Sequence, residues 1–105
     1  MDYLPIDVES IPYRFDIELS NEIYTFEIHY NERGDFFTVD LLKNEDVLAY
    51  GEKIVFNQPL FANLKDDRFP IEEIVPRTEG GQYEEITYDN FYTTVFLAIE
   101  GGADE

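Results

Sequence analysis

Between residues 13 and 42, apolar and polar side chains alternate with period two in three successive runs. Tyr13, Phe15, Ile17 and Leu19 face one way while Arg14, Asp16 and Glu18 face the other. Tyr24, Phe26, Ile28 and Tyr30 form the second apolar row, and Phe37, Val39 and Leu41 the third. A helix cannot gather such rows on one side, because successive side chains reverse direction only in a strand. The pattern therefore demands half-buried β-strands. Requiring apolar residues to share a face suggests a register. Leu19 then opposes Tyr24, Ile17 opposes Phe26 and Phe15 opposes Ile28, around a two-residue turn at Asn21-Glu22. Across the second turn, Glu32-Arg33-Gly34-Asp35, Tyr30 opposes Phe37, Ile28 opposes Val39 and Phe26 opposes Leu41, with Gly34 expected at a left-handed position. The prediction is an antiparallel meander that buries Ile17, Phe26, Ile28, Val39 and Leu41 together.

The remaining signals are shorter. Tyr3-Leu4-Pro5-Ile6 reads as extended, since a residue before proline avoids the α region. After a turn at 43–46, Val47–Tyr50 reads as a fourth strand, with Gly51 interrupting and Ile54-Val55-Phe56 continuing it past a bulge. Asn57–Phe61 leaves the sheet, and 62–70 reads as a polar loop with room for one helical turn. Ile71–Val75 is a short strand between two prolines, 77–86 a loop around Gly80-Gly81, and Tyr92–Ile99 the last strong strand. Six to seven short strands predict an all-β fold, a small antiparallel barrel or sandwich. Residues 1–100 form one β-rich domain in this reading, and 101–105 an acidic tail.

Composition removes several functional classes. Among 105 residues there are 24 acidic and only 7 Lys and Arg side chains, for a net charge of −17. A protein that tracks phosphates needs a basic surface, so nucleic acid is not an expected partner. Nine Phe and eight Tyr supply core material, so the chain is no disordered acidic tail. Without cysteine there is no disulfide framework and no thiolate metal site. The N-terminus shows no basic region followed by an apolar stretch, and no apolar run approaches a membrane span. The expectation is a soluble chain made in the cytoplasm, without a signal peptide or a membrane partner.

Candidate chemistry is sparse. His29 is the one histidine, and the derived register puts it on the polar face near Arg14, an ordinary surface position. No phosphate loop, dinucleotide fingerprint or Ca²⁺-loop spacing occurs. No catalytic, cofactor-binding or metal residue is assigned, and the chain reads as no enzyme. The register does place three carboxylates in a row, with Asp16 opposite Glu27 and Glu27 opposite Asp40. Like charges directly opposed destabilise a sheet. Three readings fit the row: a solvated face, a surface that receives Lys or Arg from another subunit, or a site for a hard cation. Ile23, Phe36 and Leu42 share that face. They are core if a second layer covers it and a docking patch if none does.

The order Tyr30-Asn31-Glu32-Arg33, Phe36-Phe37 and Asp40-Leu41 resembles the central hairpin of the cyanophage baseplate plug family. Pro5-Ile6, Gly51, Pro59-Leu60-Phe61, Ile74-Val75-Pro76 and Val95-Phe96-Leu97 follow in the same order as in that family. One departure is the turn Lys43-Asn44-Glu45-Asp46, where the family pattern leads one to expect Asp and Gly. The resemblance spans nearly the whole chain. It implies a non-catalytic structural component of a contractile phage tail baseplate, located in the virion and packing at the central hub as a plug. Its partners would be other hub or tail proteins, or further copies of itself within the assembly. The face bearing Asp16, Glu27, Asp40, Ile23, Phe36 and Leu42 is the expected interface. A second class fits the charge alone: an acidic DNA mimic that blocks a basic nucleic-acid-binding enzyme.

Overall fold

A computed structural model describes residues 2–62, 68–70 and 72–100. The expected acidic tail at 101–105, Ile71 at the head of the expected short strand, and the centre of the loop at 62–70 lie outside the described residues. Among the described residues seven strands appear: β1 (Asp2–Tyr3), β2 (Tyr13–Leu19), β3 (Glu22–Asn31), β4 (Phe36–Lys43), β5 (Asp46–Lys53), β6 (Glu73–Thr78) and β7 (Val95–Glu100). A 3₁₀ turn, Val8–Ser10, is capped by Asp7, whose side chain accepts the Glu9 N–H. Strands β2-β3-β4-β5 form one antiparallel sheet in sequence order, and β1-β7-β6 form a second.

The two sheets share one core. Tyr24, Phe26, Ile28, Phe37, Val39 and Leu41 from the first meet Ile74, Val95 and Leu97 from the second, along with Leu4, Leu60, Ile86 and Phe91 from connecting segments. The sandwich alternative therefore holds; the two ladders stay separate and do not close into a barrel. Phe26, Ile28, Val39 and Leu41 are fully buried, as the alternation predicts, and Ile17 packs half-buried against them.

The β3–β4 register is the expected one, with Tyr30 opposite Phe37, Ile28 opposite Val39 and Phe26 opposite Leu41. The left-handed residue in that turn is Asp35 rather than Gly34, with φ at 55°. Asp35 tolerates this conformation because its carboxylate accepts the Tyr30 hydroxyl and the Tyr88 N–H.

The β2–β3 register differs from expectation by two residues. Leu19 opposes Glu22, Ile17 opposes Tyr24 and Phe15 opposes Phe26. The turn is Ser20-Asn21, with φ of 55° and 65°, the paired left-handed geometry that matches strand twist in a two-residue hairpin. A slip of two leaves every side chain on its original face, so hydrophobic alternation cannot detect it. The observed register is favoured by the turn and by cross-strand charge: Arg14 now opposes Glu27, and Asp16 opposes Thr25.

Strand β5 carries the expected irregularity. Its pairing with β4 shifts between Val39 and Leu41 and again between Leu41 and Leu42. Gly51 sits at φ 72° beside the first shift, where a side chain would be strained. Beyond it, the chain crosses to the second sheet. Asn57 N–H and Leu60 N–H donate to the carbonyls of Pro76 and Ile74, so 57–60 lines the free edge of β6. This explains why β6 runs through Pro76 instead of stopping before it. The Pro76 carbonyl, and hence its nitrogen, points away from β7, so the missing N–H costs that ladder nothing.

Candidate functional site

The alternation that builds the core also determines what the first sheet shows on its other side. Residues Arg14, Asp16 and Glu18 of β2, Ile23, Thr25, Glu27 and His29 of β3, and Phe36, Thr38, Asp40 and Leu42 of β4 share the face opposite the core. All six residues singled out as an interface lie here. They do not form the expected arrangement, however. Asp16 is not opposite Glu27; its carboxylate accepts the Thr25 hydroxyl at 2.6 Å instead. The three-carboxylate row reduces to one carboxylate pair, Glu27 and Asp40, flanked by Arg14 on β2.

Arg14 donates from Nε and Nη2 to a single oxygen of Glu27, Oε1, at 3.1 and 2.6 Å. That hydrogen bond, followed by the Glu27 charge, holds the Arg14 guanidinium above its ordinary pKa, and Asp16 and Asp40 act in the same direction. Asp40 is the unusual member, a carboxylate with only 6% of its surface exposed on the face away from the core. The bulge in β5 supplies its partner, since the Gly51 N–H donates to Asp40 Oδ1 at 2.7 Å.

His29 belongs to this group. Its Nε2 lies 3.2 Å from Glu27 Oε2 and 3.3 Å from Asp40 Oδ2. The register expected from alternation puts His29 opposite Arg14, an ordinary surface position; in the fold Arg14 opposes Glu27 instead. Two signals could have found the cluster: Glu27 and His29 at i and i+2 on one strand face, and the correctly read Glu27–Asp40 pairing. The two-residue slip in β2 obscured the role of Arg14.

The apolar members are distributed around this polar centre. Leu42 stands in one row with Thr25 and Val47. Ile23 and Val47 are each 56% exposed. Phe36 is half-buried, with the Lys53 ammonium 4.7 Å above its ring. The face as a whole has a charged centre of Arg14, Glu27, His29 and Asp40 and an apolar margin. No convergent nucleophile, base and oxyanion donor occurs among its described residues.

Comparison with known proteins agrees with the resemblance seen in the hairpin residues. No curated protein matches the chain. A protein-family model described as cyanophage baseplate Pam3 plug gp18 matches residues 1–102. That match covers all seven strands and the whole two-sheet core, and on it the chain belongs to the cyanophage baseplate plug family.

Proposed function

We propose that this protein is a non-catalytic structural component of a contractile phage tail baseplate, packing as a plug at the central hub, with the outer face of the four-stranded sheet as its docking surface. Family membership implies the structural baseplate role and, with it, other baseplate components as partners. The observation that carries the docking assignment is the character of that face. It is the side of the sheet turned away from the core, yet it presents Ile23 and Val47 at 56% exposure beside half-buried Phe36 and Leu42. Asp16, Glu27 and Asp40 lie among them and favour a partner that brings Lys or Arg. Because Arg14 already pairs with Glu27, the charge contribution is orientation and partner choice rather than relief of a three-acid repulsion.

The test is incorporation. Ile23→Lys with Val47→Lys changes exposed positions only, so the isolated double variant is expected to keep its circular dichroism spectrum and unfolding midpoint. Co-expressed with the other tail proteins, it is expected to be recovered poorly in assembled baseplates. Normal recovery would remove this face from the interface. Capture of a nucleic-acid enzyme by the wild-type protein, in place of tail proteins, would overturn the baseplate reading itself.

A further inference from the structure

We propose that Glu27, His29 and Asp40 form a binding site for one divalent transition-metal ion of the zinc type on the outer face of the four-stranded sheet. The inference does not depend on the baseplate role. It starts from three electron-pair donors brought close together. Glu27, His29 and Asp40 each offer one ligand atom, and the three lie within 4.8 Å of one another; His29 Nε2 approaches Glu27 Oε2 and Asp40 Oδ2. A tetrahedral or octahedral ion with bonds of about 2.0–2.2 Å separates neighbouring ligand atoms by about 2.8–3.6 Å. The two separations that involve His29 are 3.2 and 3.3 Å, inside that range.

A single ring N–H reaches the two flanking oxygens only as a bond shared between them, at 3.2 and 3.3 Å. If Nε2 carries no proton, three lone pairs confront one another. A cation placed between them satisfies all three at once.

The far side of each carboxylate is already held. Arg14 occupies Glu27 Oε1 and the Gly51 N–H occupies Asp40 Oδ1, so in both residues the second oxygen is the one turned toward His29. Supporting donors of this kind orient metal ligands and limit the rotamer freedom lost on binding. Asp40 in particular is more than nine-tenths buried with its Oδ2 directed into the cluster, far from what a solvated carboxylate requires. Arg14, Asp16, Glu27 and Asp40 together carry a local charge of −2 with His29 neutral, and the net charge of −17 attracts cations from a distance. An imidazole nitrogen with two carboxylates selects zinc and its neighbours over calcium or magnesium, which take oxygen ligands only. Three protein ligands leave at least one coordination position for water or a partner's side chain, and the partly exposed His29 and Glu27 side chains keep that position open to the outside.

The experiment uses the full chain, stripped with a chelator and titrated with zinc chloride. The expected result is one ion per chain. With zinc a hundredfold above its dissociation constant, the thermal midpoint should rise by about 10 °C and fall back on adding chelator. Because His29 is the one histidine, the imidazole nitrogen resonances report the site directly, and Nε2 is expected to shift on zinc addition. His29→Ala changes a half-exposed side chain and should abolish the midpoint shift. Asp40→Asn should weaken binding at least tenfold, and Glu27→Gln gives the same test should Asp40→Asn fail to fold. Absence of zinc binding overturns the proposal. So does a midpoint shift equal in His29→Ala, or one produced equally by calcium, since either means diffuse association with exposed acids. Zinc binding with the imidazole resonances unmoved overturns it as well.

Discussion

The four-stranded sheet and the stretch from 54 to 100 contribute to the same core but are held in place by different interactions. In the first, each strand pairs with its sequence neighbour and the side chains simply alternate in and out. In the second, β6 and β7 are separated by a long loop whose path is set by side chains that bond the backbone. Asn90 accepts the Thr87 N–H and donates to the Glu85 carbonyl. The Tyr92 hydroxyl donates to the Leu4 carbonyl at 2.7 Å and accepts the Leu97 N–H at 3.1 Å, tying the residue after β1 to β7. Burial raises the Tyr92 pKa well above the ordinary phenol value, as a hydroxyl enclosed between β1 and β7 requires. Phe61 and Tyr92, both bulky, sit at φ of 64° and 61°. Such backbone is tolerated only where surrounding contacts over-determine it. The comparison shows two ways of reaching one core, by pairing of neighbouring strands and by side chains that clamp the backbone, across a few residues at Asn90 and across the chain at Tyr92.

The largest expected effect tests whether the core is truly shared. Phe26 belongs to the meander and Phe91 to the loop half, and Phe91 meets the meander through Phe37, with ring centroids 4.2 Å apart. Phe26→Ala and Phe91→Ala should each cost about 3–5 kcal/mol in urea unfolding, because both rings are almost fully buried. A small loss for Phe91→Ala alone would mean that the loop half is only loosely attached to the sheet.

Next in size is the clamp. Tyr92→Phe removes the hydroxyl and leaves the Leu4 carbonyl and Leu97 N–H without their partner. The cost should be about 1–3 kcal/mol, and amide exchange should quicken at Leu4 and Leu97 while Phe26 and Val39 stay protected. Uniform acceleration across both halves would show that the clamp is not local to the second.

A gain is expected at a tight turn of the meander. Asn44 and Glu45 occupy a two-residue hairpin with φ of 53° and 71°, a conformation costly for Glu and free for glycine. Glu45→Gly should raise stability by up to about 1 kcal/mol, measured as a higher unfolding midpoint. A loss would show that the turn is not strained.

The smallest effect concerns the link between the halves. Glu72 accepts the Ser20 N–H at 3.0 Å and also the Ser20 hydroxyl, fastening the first hairpin turn to the segment before β6. Burial opposes ionisation of Glu72, but the Ser20 side-chain and backbone hydrogen bonds outweigh it and the pKa is lowered from 4.5. A lowered folded-state value means the contribution is complete above the ordinary carboxylate range and disappears as pH falls through the folded value. The stability difference between wild type and Glu72→Gln should therefore be constant at neutral pH and vanish in acid. A difference that persists at pH 2 would assign the effect to packing instead.

Much of this architecture was legible in order of sequence. Alternation identified the meander, its inner face and its outer face, and one hairpin register, because burial on one side couples every residue to its neighbour two positions away. The same periodicity could not separate the true β2–β3 register from one slipped by two, which preserves every face. Turn chemistry and the placing of Arg14 opposite Glu27 decided it, and both are consequences of the folded sheet. The cluster at His29 was hidden for a related reason. Its carboxylates were recognised as neighbours, but the burial of Asp40 depends on a bulge that turns the Gly51 N–H toward it. The described part of 54–94 was least legible, since side chains that clamp the backbone, such as Asn90 and Tyr92, leave no period. Local side-chain direction is written residue by residue in a strand, whereas the partner of a buried hydroxyl or carboxylate is determined only when distant segments meet.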